Sequence, residues 1–128
     1  MRTALVWFRR DLRLADNPAL NAALEAAERV VPVYIQAPED EAPWSPGGAS
    51  RWWLHGSLEA LDAALRARGS RLIRRRSEQA EAALWRVVQE TQAEAVHWNR
   101  DYEPAFIDRD TRIKARLRTA GITAVSHP

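Results

Sequence analysis

A chain of 128 residues and 14.5 kDa is long enough to bury a core and short enough to form one domain. Its 46% hydrophobic and 28% charged content excludes a disordered segment, and the lack of cysteine excludes a disulfide framework, a thiolate metal site and a cysteine nucleophile. The net charge of +2 is small, and the pI of 9.6 reflects arginine, since Lys114 is the one lysine among 19 basic residues, so neither argues for a nucleic-acid-binding face.

Met1 leads directly into a strand pattern without a signal-peptide core, and no apolar run approaches the ~20 residues of a membrane helix. A cytoplasmic protein that meets no membrane is expected. Thr3 to Phe8 is apolar, β-branched and aromatic, without helical spacing, and predicts a buried first strand. A charged turn follows, Arg9-Arg10-Asp11-Leu12-Arg13, and then Asn17-Pro18. Proline's fixed φ and missing N–H suit the first helical position, so Asn17 is the expected N-cap of a helix running from Pro18 to about Glu28, with Leu20 and Leu24 on one face. Such a strand-to-helix corner is where open α/β sheets place ligands.

Val31-Pro32-Val33-Tyr34-Ile35 reads as a second strand covered on both faces, its ladder starting just after Pro32. Gln36 to Gly48 is a proline-rich loop whose glycines lack the spacing of a phosphate cradle. Ser50 is the expected cap of a second helix that carries Leu54, Leu58, Leu61 and Leu65 on one stripe and stops at Gly69. Arg71 to Arg74 predicts a third strand at a sheet edge. Ser77 opens a third helix with Ala80, Leu84, Val87 and Val88 inside, Ala95 to Trp98 a fourth strand, Pro104 a fourth helix burying Phe106, Ile113 and Leu117, and Ile122 to Val125 a fifth strand. Alternation of this kind predicts a doubly wound, Rossmann-like five-stranded parallel sheet with helices on both faces. The two chemically richest corners follow strands one and four, which the order 3-2-1-4-5 makes neighbours at the switch point.

Three segments carry a resemblance. Trp7-Phe8-Arg9-Arg10-Asp11-Leu12-Arg13 with Asp16-Asn17-Pro18, and Trp98-Asn99 with Asp101-Tyr102-Glu103-Pro104 and Arg109-Asp110, resemble the N-terminal α/β domain of the DNA photolyase and cryptochrome family, as does Arg51-Trp52-Trp53-Leu54 with Ser57-Leu58. The resemblance covers essentially the whole chain. It implies an antenna-chromophore site, for a deazaflavin, a reduced folate or FMN, and Arg10, Tyr34, Asp101 and Glu103 fall on positions that line it in deazaflavin-type members, with Trp7 and Phe8 nearby. It also implies that FAD, the DNA-lesion pocket and the catalytic residues belong to a C-terminal domain absent from this chain. That domain is then the expected partner, DNA is met only through the full-length photolyase, and no catalytic residue is expected here.

The physics of the corner is compatible, because carboxylates at a strand's carboxyl end accept from ring N–H groups and repel phosphate. The plainer alternative is that Glu103 caps the fourth helix while Asp101 pairs with Arg100 or Arg10. A cryptochrome photoreceptor and a stand-alone flavodoxin-like nucleotide-binding module are the rival functions. Neither His55 nor His97 has a carboxylate at metal-ligand spacing, so no metal is expected. Trp7, Trp85 and Trp98 are expected in the core, whereas Trp44, Trp52 and Trp53 could face the absent domain and promote self-association. Arg74-Arg75-Arg76 is read as a solvated edge.

Overall fold

The computed structural model describes residues 2–37 and 48–128, the side chains of 48–51 excepted. In chain order these form β1 (Thr3–Phe8), α1 (Pro18–Ala26), β2 (Arg29–Gln36), α2 (Gly48–Arg66), β3 (Ile73–Arg76), α3 (Ala80–Thr91), β4 (Ala95–Asn99), α4 (Pro104–Thr119) and β5 (Thr123–His127). The strands make one parallel sheet in the expected order β3-β2-β1-β4-β5. Strand order reverses between β1 and β4, which opens a crevice beyond their carboxyl ends.

The central strand explains why both sheet faces are covered. All six residues of β1 are buried, and successive side chains point to opposite faces. Leu5 and Trp7 join Val33, Ile35, Leu84 and Val87, with Ile113 and Leu117 from α4. Ala4, Val6 and Phe8 join Ala19, Leu20 and Ala23 of α1 and Leu58, Leu61 and Leu65 of α2. Each large apolar side chain so buried contributes about 1.5–3 kcal/mol, so a charge at Val6 would break the α1–α2 layer.

Several boundaries differ from the sequence expectation, each for a local reason. The β1–β2 ladder begins at Arg29, ahead of Pro32, because β3 pairs only from Val33 onward. Up to that point β2 is an edge strand, where proline is tolerated. Leu24 is 59% exposed, since α1 buries Ala19, Leu20 and Ala23 instead. α1 ends at Ala26 because the N–H groups of Glu28 and Arg29 already bond to the carbonyl of Arg2.

α2 starts at Gly48, so Ser50 lies inside the helix rather than at its cap. β3 begins at Ile73, two residues late, because the N–H of Leu72 is taken by the Asp62 carboxylate at 2.8 Å. Ser77 does not open α3; its Oγ accepts from the N–H of Gln79 at 3.3 Å, and the helix begins at Ala80. β5 starts at Thr123, because the N–H of Ile122 closes the end of α4 on Leu117.

Trp7 and Trp98 are both 1% exposed and pack edge to face, 5.6 Å between ring centroids, while Trp85 packs partly buried against the same layer. Trp52 and Trp53 are 79% and 62% exposed on α2. Trp44 and most of the predicted Gln36–Gly48 loop lie outside the described residues. Arg74 and Arg75 pair with Glu59 and Glu90 along the edge strand. Among the described residues no group of His, Asp and Glu could hold a metal, and no helix is long and apolar enough to cross a membrane.

Candidate functional site

The corner after β1 is a tight turn built on Asp11. Its Oδ1 accepts from the N–H of Arg9 at 2.9 Å, and its carbonyl accepts from the N–H of Arg13 at 2.7 Å. Asp16 adopts a left-handed backbone, φ 50°, which an aspartate tolerates better than most residues. Asn17 then caps α1 as expected. Its fully buried side chain accepts from the N–H of Leu20 at 3.1 Å and donates to the carbonyl of Arg13 at 2.9 Å.

Asn99, the last residue of β4, joins this corner to the second. Its Nδ2 donates to Asp11 Oδ2 at 2.5 Å and to Asn17 Oδ1 at 2.8 Å, while its Oδ1 accepts from the N–H of Ala19 at 3.0 Å. One side chain therefore serves the turn, the cap and the first turn of α1. Arg9 makes a second cross-link: it pairs with Asp110 of α4 at 2.5 Å and donates to the carbonyl of Asn99 at 2.5 Å. Both side chains are nearly sealed from water, 10% and 12% exposed. The guanidiniums of Arg9 and Arg109 lie 4.9 and 5.1 Å from the Trp7 ring centroid, so the indole is flanked by cations.

Above this buried layer sits the exposed one. Arg10 Nη1 donates to Glu103 at 2.6 Å, and its Nε lies 3.7 Å from Asp101. Its guanidinium covers the ring of Phe106 at 5.1 Å. Asp101 Oδ1 accepts from the N–H of Glu103 at 3.2 Å. Glu103 occupies the N-cap position of α4, yet its side chain makes no capping bond; only its carbonyl serves the helix, accepting from Phe106 and Ile107.

Arg10, Asp101 and Glu103 are thus brought together, as the sequence reading required. Trp7 lies beneath them in the core, and Phe8 and Tyr34, paired in register, belong to the opposite layer. Asp101 does pair with Arg10, in keeping with the plainer alternative, whereas the capping role for the Glu103 side chain is not realised. Arg9, Asn99 and Asp110 were not singled out from sequence, although each stands inside a quoted motif. At the rim, one planar donor stands between two carboxylate acceptors, with Arg10 and Glu103 side chains 56% and 41% exposed. This donor set fits the edge of a flat heterocycle carrying ring N–H and C=O groups, and does not suit phosphate.

The DNA photolyase family profile matches residues 4–128. A cryptochrome-1 of Arabidopsis thaliana is 46% identical over 123 residues, covering 96% of this chain and 18% of that protein. A deoxyribodipyrimidine photo-lyase of Agrobacterium fabrum is 45% identical over 122 residues, covering 95% of this chain and 25% of that protein. Among solved structures, a bacterial class III photolyase from Agrobacterium tumefaciens superposes with a TM-score of 0.89 at 43% identity, over 98% of this chain and 25% of that one. An archaeal photolyase from Sulfolobus tokodaii, described with two FAD molecules and a novel light-harvesting cofactor, gives 0.86 at 34% identity, over 98% and 29%.

The fold and its crevice define a photolyase-type N-terminal α/β domain. The chain belongs to the DNA photolyase family, and it spans between 18% and 29% of the length of these relatives.

Proposed function

We propose that this chain is the light-harvesting N-terminal domain of a deoxyribodipyrimidine photolyase, and that Arg10, Asp101 and Glu103 hold the edge of its antenna chromophore. The observation that carries this reading is the meeting of the two corners, with Arg10 between Glu103 at 2.6 Å and Asp101 at 3.7 Å beyond the carboxyl ends of β1 and β4. When bound, a deazaflavin, a reduced folate or FMN would absorb light and pass excitation to FAD in a C-terminal domain, which would repair pyrimidine dimers in DNA.

The chain's own part is binding and orientation. Glu103 and Asp101 accept from ring N–H groups, Arg10 donates to a ring carbonyl, and the Phe106 ring under Arg10 limits how far that guanidinium can swing. The Arg9–Asp110 pair and the Asn99 amide keep the two corners in register, so the rim is preorganised. Trp7 lies under the rim, while Phe8 and Tyr34 hold the ends of β1 and β2 from the opposite layer. No group here is assigned a catalytic step.

Titrating the purified chain with a deazaflavin, a reduced folate, FMN and ATP tests the proposal. Saturable binding of at least one of the first three is expected; tight ATP binding with none of them would favour a stand-alone nucleotide-binding module instead. The 46% identity to a cryptochrome supports a second reading, a blue-light photoreceptor domain without repair activity. Dimer-repair assays on the gene product that contains a C-terminal flavin domain separate the two.

A further inference from the structure

A cavity of about 300 Å³ lies on the β5 side of α4, with neither Arg10 nor Glu103 in its wall. Its size is that of a small-metabolite site. Trp98 and Ser126 of the sheet, Arg100 and Tyr102 of the second corner, and Ile107 and Lys114 of α4 line it. Two carboxylates, Asp101 and Asp110, also reach it, but they face Arg10 and Arg9 respectively.

The remaining polar groups are donors without an anion. Ser126 Oγ accepts from Lys114 Nζ at 2.7 Å and from Arg100 Nε at 3.2 Å, which leaves the hydroxyl proton to be donated onward. Among the described residues, neither Lys114 nor Arg100 forms an ion pair. Trp98 is 1% exposed, and its buried indole N–H has no hydrogen-bond partner. That N–H is itself shielded from the cavity, and Trp98 contributes its ring to the wall, with Lys114 Nζ 5.8 Å from the ring centroid. The field has the matching sign: Lys114 is held below its usual pKa by burial first, then by the charges of Arg118 and Arg100, with Asp110 opposing.

We propose that this cavity binds a small organic oxyanion with an apolar body. Lys114, Arg100 and the Ser126 hydroxyl hold the charged end, and Trp98 and Ile107 cover the rest. The cavity shares Asp101 with the antenna rim, but the inference gives Asp101 no role and uses none of Arg10, Tyr34 or Glu103, so it stands or falls separately from the antenna assignment.

The test follows the Trp98 indole N–H resonance of the ¹⁵N-labelled chain in titrations with inorganic phosphate, phenyl phosphate and benzoate at constant ionic strength. A saturable shift with phenyl phosphate or benzoate, tighter than with inorganic phosphate, is expected; whichever organic probe binds more tightly identifies the charged end as phosphate or carboxylate. Charge-assisted contacts of this kind are each worth about tenfold or more in affinity, so Lys114→Gln and, separately, the exposed Arg100→Gln should weaken binding by about that factor, with folding read from the dispersion of the same spectrum. An unmoved Trp98 resonance, unchanged midpoints in both folded variants, or equal midpoints for inorganic and phenyl phosphate would overturn the proposal.

Discussion

Replacing Asp110 by Asn removes the negative partner of two guanidiniums, Arg9 at 2.5 Å and Arg109 at 3.3 Å, whose side chains are only 10% and 6% exposed. Breaking a buried pair on one side costs about 3–5 kcal/mol, because the surviving charge stays out of water without compensation. Arg9 keeps its bond to the Asn99 carbonyl at 2.5 Å and its contact with Trp7 at 4.9 Å, and Arg109 keeps its contacts with the Trp7 and Phe106 rings, so a loss of at least about 3 kcal/mol is expected. For a chain of this length that lowers Tm by about 10 °C or more. Glu103→Gln breaks a pair of similar geometry at 2.6 Å, but its side chains are 56% and 41% exposed. Solvent screening holds that loss below about 1 kcal/mol.

Thermal melts followed by circular dichroism should therefore separate the two variants clearly, with Asp110→Asn far less stable. Arg9→Met combined with Asp110→Leu should recover only part of the loss, since it removes the stranded charge of Arg9 but still takes the carboxylate away from the buried Arg109. Equal Tm values for Asp110→Asn and Glu103→Gln would refute the division into a buried framework pair and an exposed binding pair.

Acid should destabilise the chain through two imidazoles. His97 Nδ1 and His127 Nε2 are 3.0 Å apart in stacked rings. Burial holds both below the ordinary 6.5, helped at His97 by His127 and at His127 by Arg100 and Lys114. The unfolded chain then binds more protons, so stability is complete above pH 6.5 and falls as pH drops through the depressed folded values; Tm measured from pH 7.5 downward should show that fall, reduced in His97→Phe. Asn17→Ala removes a cap together with bonds to Arg13 and Asn99 and should cost roughly 2 kcal/mol in urea unfolding. Trp52 and Trp53 present an exposed aromatic pair, so sedimentation should show concentration-dependent association that Trp52→Ser with Trp53→Ser abolishes; strictly monomeric wild-type chain at high concentration would reject this.

Strand and helix identities were legible where local chemistry decides them. The β-branched and aromatic run Thr3–Phe8, covered on both faces, and the Asn17-Pro18 cap are realised as read. What local patterns do not contain is the long-range acceptor that sets a strand's first residue: Leu72 is diverted to Asp62, and Ile122 to Leu117. The exposed Leu24 shows the same limit, since small alanines at 19 and 23 bring α1 close to the sheet and displace the larger leucine outward.

At the candidate site, switch-point logic and family resemblance together pointed to Arg10, Asp101 and Glu103, which the fold brings into contact. The Arg9–Asp110 pair spans 101 residues, and the Asn99 cross-links span 82 and 88, so no spacing rule could join them. An arginine next to a β-strand end, an asparagine closing another and an Arg-Asp step in a helix become a signal only once strand order is known.

The central claim is most directly tested by chromophore titration of the Asp101→Asn, Glu103→Gln double variant beside the unaltered chain, followed by absorbance or fluorescence. Neutralising both acceptors removes two charge-assisted contacts, and binding should weaken by about tenfold or more while the melting curve stays nearly unchanged. Identical affinities in the two proteins would contradict the placement of an antenna ring against Arg10, Asp101 and Glu103.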